Sequence, residues 1–226
     1  MTTQPDLHGP AVSSWLRSLA TALAEFQNVL DELDAGAGDG DHGATMVMGF
    51  RLVIKQLDEL PDTAEPADVL RATANAFAQV GGSIGPLWGS ALLRAARCCT
   101  GPSLDIDMLA SALAAAATGM TNIGSAHPGD RTLLDAFVPS AQAFAHAAQN
   151  GANLHAAAQQ GYEAALAGAT STATMPARRG RAARNPELAA GKVDAGAASI
   201  ALAWTIAVAP AQMDRWRATV QPPAHA

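Results

Sequence analysis

The sequence predicts an all-α protein, with eight helices in an up-and-down antiparallel bundle. Three features point there. Of its 226 residues 54 are Ala, the strongest helix former. The aromatic and β-branched residues that strands favour are sparse, with aromatics at 4%. Apolar residues recur at the 3.6-residue period in segment after segment, several of them joined by short turns. A hydrophobic share of 49% over this length suits one domain spanning residues 1–226, with a core at about 11–216.

Taken in order, Val12, Leu16, Leu19, Leu23, Phe26, Leu30 and Leu33 trace the first helix. The second runs from about Thr45 to Leu60, with Met46, Phe50, Val53, Ile54 and Leu57 on its apolar side. Pro66 suits the first position of the third, which ends near Val80. The fourth follows Pro86 to about Cys99, the fifth spans Ser103 to Thr118, and the sixth Leu133 to Gln149. The seventh covers Leu154 to Ala169 and the eighth Ala197 to Trp216. No run reads as a strand, and the tail from Gln221 reads as frayed.

The net charge of −6, from 14 Lys+Arg against 20 Asp+Glu, argues against general nucleic-acid binding. The two cysteines, Cys98 and Cys99, are adjacent and helical, which excludes a disulfide framework and fits a reducing, cytoplasmic setting. The first ten residues lack the basic start and apolar core of a secretory leader. The uncharged run Ala195 to Met213 holds Ser199, Thr205, Pro210 and Gln212 and reads as a buried helix, so no membrane span is expected.

The connections fall into two sets. Those after helices two, four and six are short, ordinary turns. Those after helices one, three, five and seven are Asp34 to Gly43, Gly81 to Pro86, Gly124 to Arg131, and Met175 to Gly196. They hold most of the clustered Gly, Asp and Arg. In an up-and-down bundle, alternate loops share one end, together with the N-termini of the helices that follow them. Those N-termini favour an anion.

The first of these loops places Asp34, Asp39 and Asp41 within eight residues, separated by glycines. Three carboxylates so close repel one another unless a cation intervenes. Oxygen-only donors on a Gly-rich backbone suit Mg²⁺, which shares its remaining positions with phosphates. The competing reading is a solvated acidic turn with an Asp helix cap. Gly38 to Gly43 formally matches the dinucleotide glycine fingerprint but follows a helix where that motif needs a strand. An EF-hand from Asp39 would need Glu where Phe50 stands. The last loop concentrates Arg178, Arg179, Arg181, Arg184 and Lys192, which suits phosphate or partner contact. For Arg178, Arg179 and Arg184 singly, a mobile solvated loop is the plainer reading. Cys98, Cys99, Trp88 and Trp204 read as packing residues.

Five ordered motifs, GDGDHG (38–43), GGSIGPLWGS (81–90), PGDRTLLDA (128–136), MPARRGRA (175–182) and DAG (194–196), together with the upstream Asp34, resemble the ADP-binding L subunit family of dihydroxyacetone kinases. The likeness covers roughly Leu30 to Val208. It implies an eight-helix antiparallel barrel with a nucleotide site formed by loops at one end. It implies that Asp34, Asp39 and Asp41 hold two Mg²⁺ ions bridging to ADP or ATP. His42, Gly43, Ala44, Thr45, Ser83, Ile84, Gly124, Leu133, Arg181, Asp194, Ala195 and Gly196 would contact the nucleotide, with Arg181 as the catalytic phosphate contact.

The same resemblance implies a separate K-type subunit that holds the hydroxyketone through a histidine. The donor is either a phosphotransferase-system protein recharging bound ADP, or free ATP. A homodimer stays open. This chain departs from the family pattern at Ile84 (usually Ser), Ala44 (usually polar), Lys192 (usually His) and Ala195 (usually Pro), and in the stretch after Arg181. A longer sugar-like ketone or polyol acceptor, and a non-catalytic nucleotide-loaded binding module, are the alternatives.

Overall fold

The computed structural model describes residues 7–221. The expectations for the leader-free start and the frayed tail concern residues largely outside that range. The helices are α1 (Gly9–Glu25), α2 (Gln27–Ala35), α3 (His42–Asp58), α4 (Pro66–Phe77), α5 (Ile84–Ala96), α6 (Ile106–Gly124), α7 (Leu134–Gln149) and α8 (Leu154–Ser171). They are followed by a four-residue α9 (Pro186–Ala189), by α10 (Ala195–Val208) and by α11 (Met213–Val220). Each long helix packs on the next from α3 to α8; α8 packs on α10, and α10 closes onto α1 and α2. The result is a closed ring of eight staves, the first made of α1 plus α2.

Two of the expected helices are broken. The first bends at Phe26, which leaves helical geometry (φ −101°, ψ 15°) although its N–H still donates to the Ala22 carbonyl. The bend sets the Phe26 ring edge-on to Trp216, 4.9 Å between centroids. The eighth stops at Val208; Pro210 cannot continue the ladder, and α11 folds back so that buried Trp216 donates to the Ala198 carbonyl. The expectation of no strand also needs correcting. Leu7–His8 and Ser103–Leu104 form a two-residue antiparallel pair that ties the start of the described chain to the α5–α6 turn. So short a pair carries no readable alternation.

One apolar cluster with members from every stave forms the core. Its composition has a consequence. Ala side chains are too small to fill the axis of an eight-helix ring, and the staves surround a partly open apolar cavity of about 810 Å³. Trp15, Leu70, Trp88, Phe137, Phe144 and Trp204 are among its lining residues. Trp88 and Trp204 are thus packing residues, as the sequence suggested, and both cysteines are free thiols. α6 is long and apolar enough to span a membrane by length and composition. In the fold it is a stave packed between α5 and α7.

The tightest neighbours are α7 and α8. Pro139 inside α7 has no N–H to offer the Asp135 carbonyl, and Gly168 of α8 lies directly against that oxygen. Any side chain at 168 would push the staves apart.

Candidate metal and nucleotide site at the barrel mouth

The acidic loop links α2 to α3, and its shape is set by Asp34. That carboxylate accepts from the backbone N–H of Gly40 (2.9 Å) and Asp41 (3.2 Å), wrapping the chain around itself. The result brings one oxygen from each of Asp34, Asp39 and Asp41 within 4.8 Å of one another. Asp41 stands at the N-cap of α3, yet its side chain makes no capping bond. A capped acidic turn would spend that oxygen on the helix; here it stays with the cluster. Among the described residues the cation meeting these carboxylates is Arg181, whose Nη1 is ion-paired with Asp39 Oδ2. A hard divalent cation fits this all-oxygen, anionic donor set.

The entrance of α3 is held by residues that no local sequence signal announces. Asp31 of α2 accepts from the Ala44 N–H at 3.0 Å. Gly43 lies so close to α2 that a Cβ there would sit 2.3 Å from the Gln27 carbonyl oxygen. Ser199 of α10 lies 2.8 Å from His42 Nε2 while its hydroxyl donates to the Ala195 carbonyl at 3.1 Å. With both bonds made, the imidazole carries its proton on Nε2. Burial holds His42 below its ordinary pKa despite the nearby carboxylates of Asp34 and Asp31, so the ring is neutral at pH 7.

The loop before α10 closes the other side. Asp194 caps α10, its Oδ1 accepting from Ala197 N–H at 2.9 Å, and its own N–H donates to Thr172 Oγ1. Burial pushes its carboxyl up to about 6, against the pull of the capping N–H and of Arg131. Gly196 touches Leu133 at the start of α7, and the Lys192 side chain lies across Gly36 at the head of the acidic loop. Ala37 of the acidic loop packs with Ala177 and Ala189 of the basic segment. Asp34, Asp39, Asp41, His42, Gly43, Ala44, Thr45, Leu133, Arg181 and Asp194 to Gly196 therefore share one end of the barrel.

Ser83, Ile84 and Gly124 form a neighbouring corner. Gly124, closing α6, touches Leu87 of α5, and exposed Ser83 precedes α5 without a side-chain cap. Ile84, where a polar contact would be usual, packs against the core. The basic segment carries some regular structure, while Arg178, Arg179 and Arg184 are exposed. It holds a single helical turn at Arg181–Arg184 and the short α9, with Arg179 paired to Asp130 at 3.6 Å.

The family model described as the DAK2 domain matches residues 36–209. The ADP-binding subunit DhaL of the PEP-dependent dihydroxyacetone kinase of Escherichia coli (strain K12) is 31% identical over 191 residues, covering 84% of this chain and 90% of that one. A second DhaL subunit, from Listeria innocua, is 34% identical over 188 residues, covering 81% and 86%. The D-erythrulose kinase of Mycolicibacterium smegmatis is 35% identical over 189 residues, covering 82% of this chain and 32% of that longer protein. In fold the chain is similar to the crystal structure of the dihydroxyacetone kinase of C. freundii, with a TM-score of 0.68 at 23% identity. That likeness covers 92% of this chain and 36% of the larger one. The extent of the family match and the end-to-end similarity to the DhaL subunits lead to one conclusion: the chain belongs to the DAK2-domain family.

Proposed function

We propose that this chain is the nucleotide-holding subunit of a dihydroxyacetone-type kinase. In this reading Asp34, Asp39 and Asp41 carry two Mg²⁺ ions that hold ADP or ATP at the barrel mouth, and a partner K-type subunit presents the hydroxyketone. The observation that carries the reading is the convergence of three carboxylates at the entrance of α3, with the Asp41 carboxylate withheld from the helix cap. The similarity to DhaL subunits along most of both chains supports it.

The chain's own residues do the positioning. Asp34 fixes the loop through two backbone N–H groups, so the donor set is assembled before any ligand arrives. Bound Mg²⁺ would supply neutralisation of the phosphate oxygens during phosphoryl transfer. The N-termini of α3 and α10 add fixed positive potential at the same end. His42, neutral and held by Ser199, offers an uncharged polar edge beside the carboxylates. Arg181, within reach of Asp39, is placed to turn to a phosphate oxygen as charge builds there.

The test is phosphorylation of dihydroxyacetone, and of erythrulose, by the chain together with its K-type partner. Asp39→Ala should lower the rate on the order of a thousandfold, several kcal/mol of transition-state stabilisation. Near-normal turnover by that variant, or no calorimetric heat on adding Mg²⁺ and ADP to the wild type, would reject the reading. ADP that survives desalting at one per chain favours recharging by a phosphotransferase-type donor protein over exchange with free ATP.

A further inference from the structure

The basic segment between Met175 and Val193 has little core of its own. Residues 178–188 are exposed or half-buried, and its fully buried side chains are Ala177, Ala189 and Val193. Something else must hold it against the acidic loop. Two adjacent residues of the α6–α7 turn do so. Asp130 takes the beginning: its carbonyl accepts from Arg178 N–H at 3.1 Å, and its carboxylate pairs with Arg179. Arg131 takes the end: its Nη2 donates to the Ala189 carbonyl at 3.0 Å and to the Lys192 carbonyl at 2.9 Å.

Arg131 is an unusual side chain to find there. It is 2% exposed, its Nε is buried without a hydrogen-bond partner, and its backbone is left-handed at φ +61°. A buried guanidinium with an idle N–H and a strained backbone costs the fold stability. What it gains is a charged donor bridging two carbonyls that lie more than fifty residues further along the chain. The turn that carries it is itself fixed: buried Asp135 accepts from the N–H groups of Gly129 and Thr132.

We propose that Arg131, with Asp130 beside it, is a positioning residue that pins both ends of the basic segment and so holds Arg181 over the acidic loop. For the nucleotide, which rests on the function proposed above, the consequence is retention: ADP leaves only when the segment lifts, and Arg131 sets how often it lifts. Phe26, Trp216 and the other barrel contacts play no part in this opening, so the segment moves while the ring of helices stays closed.

Trypsin reads the segment directly, since Arg178, Arg179, Arg181 and Arg184 all lie in it. In nucleotide-free full chain, Arg131→Met should speed cleavage at these sites about tenfold or more, the scale expected from losing charged hydrogen bonds. The melting transition of the barrel should be retained. Release of a fluorescent ADP analogue in Mg²⁺ should quicken by a similar factor, and Arg131→Lys, whose ammonium can still reach the carbonyls, should recover part of both. Cleavage of Arg131→Met at the wild-type rate overturns the proposal. If that variant does not fold, Asp130→Ala takes its place: severalfold faster cleavage supports the pinning and an unchanged rate overturns it. If wild type and variant both fail to hold the ADP analogue while trypsin separates them, the pinning stands and the nucleotide reading falls.

Discussion

Asp194 shows how a single carboxyl is placed under tension at the mouth. It is half-buried with its carboxyl desolvated, it faces the fields of Asp135 and Asp34, and its pKa is raised to about 6. Its folded-state pKa lies above the unfolded value of 3.8, so the folded state binds the proton more tightly. The stability this confers is full below about pH 4 and is lost as pH rises through about 6. Asp194→Asn keeps an oxygen for the Ala197 N–H and removes the charge. In metal-free, nucleotide-free protein it should raise the melting temperature at pH 8, with the gain fading by pH 5. An equal effect at both pH values would show that the charge is not what matters. The three aspartates of the acidic loop were readable from sequence, because a plain turn has no use for so many carboxylates. Asp31, Ser199 and Arg131 were not, because each acts on a backbone or ring brought to it by the fold. Nothing near Ser199 in the chain points to His42, 157 residues away.

At the scale of elements, the approach of α2 to α3 decides whether the acidic loop can form. Gly43 lets the two helices meet, since a Cβ there would sit 2.3 Å from the Gln27 oxygen and 3.0 Å from Asp31 Oδ1. Gly43→Ala should therefore destabilise, although Ala is the better helix former by roughly 1 kcal/mol. Overpacking of about 1–3 kcal/mol should win, lowering the melting temperature by about 5 °C and weakening Mg²⁺ binding as the Ala44–Asp31 bond is stretched. A melting temperature at or above wild type would show that α3 simply shifts. Helical periodicity located every stave but missed both breaks, at Phe26 and at Pro210. Val12 to Leu33 keeps its apolar spacing straight through the bend, because the ladder bond from Phe26 N–H to Ala22 survives it. Pro210 was visible in the sequence, yet the apolar residues beyond it, ending on Trp216, made the helix look continuous. Trp216 is apolar for another reason: it packs back on Phe26.

For the molecule as a whole, the closed ring separates an apolar interior from a polar mouth. Ligand binding at the mouth should stabilise the entire barrel by mass action, since the acidic loop exists only when α2, α3 and α10 are in place. Mg²⁺ with ADP at a hundred times its dissociation constant should add about 2.7 kcal/mol, raising the melting temperature by roughly 5–10 °C. EDTA should abolish the rise, and a shift with ADP alone would argue against metal-held phosphate. The gathering of four unusual loops at one end followed from counting helices, because alternate connections of an up-and-down bundle must fall on the same side. The ring's closure by α10 against α1 and α2 had no such signature.

The four tryptophans divide between the two ends of the barrel. Trp15, Trp88 and Trp204 line the cavity, Trp88 one turn into α5, and buried Trp216 of α11 is bonded to Ala198 in the first turn of α10, so Trp88 and Trp216 stand close to the mouth. Ultraviolet-excited emission from the unlabelled chain is therefore an optical gauge of both the ring of helices and its polar end. It should change in intensity through Trp88 and Trp216 when ligand settles at the mouth, and shift to the red when the ring itself comes apart.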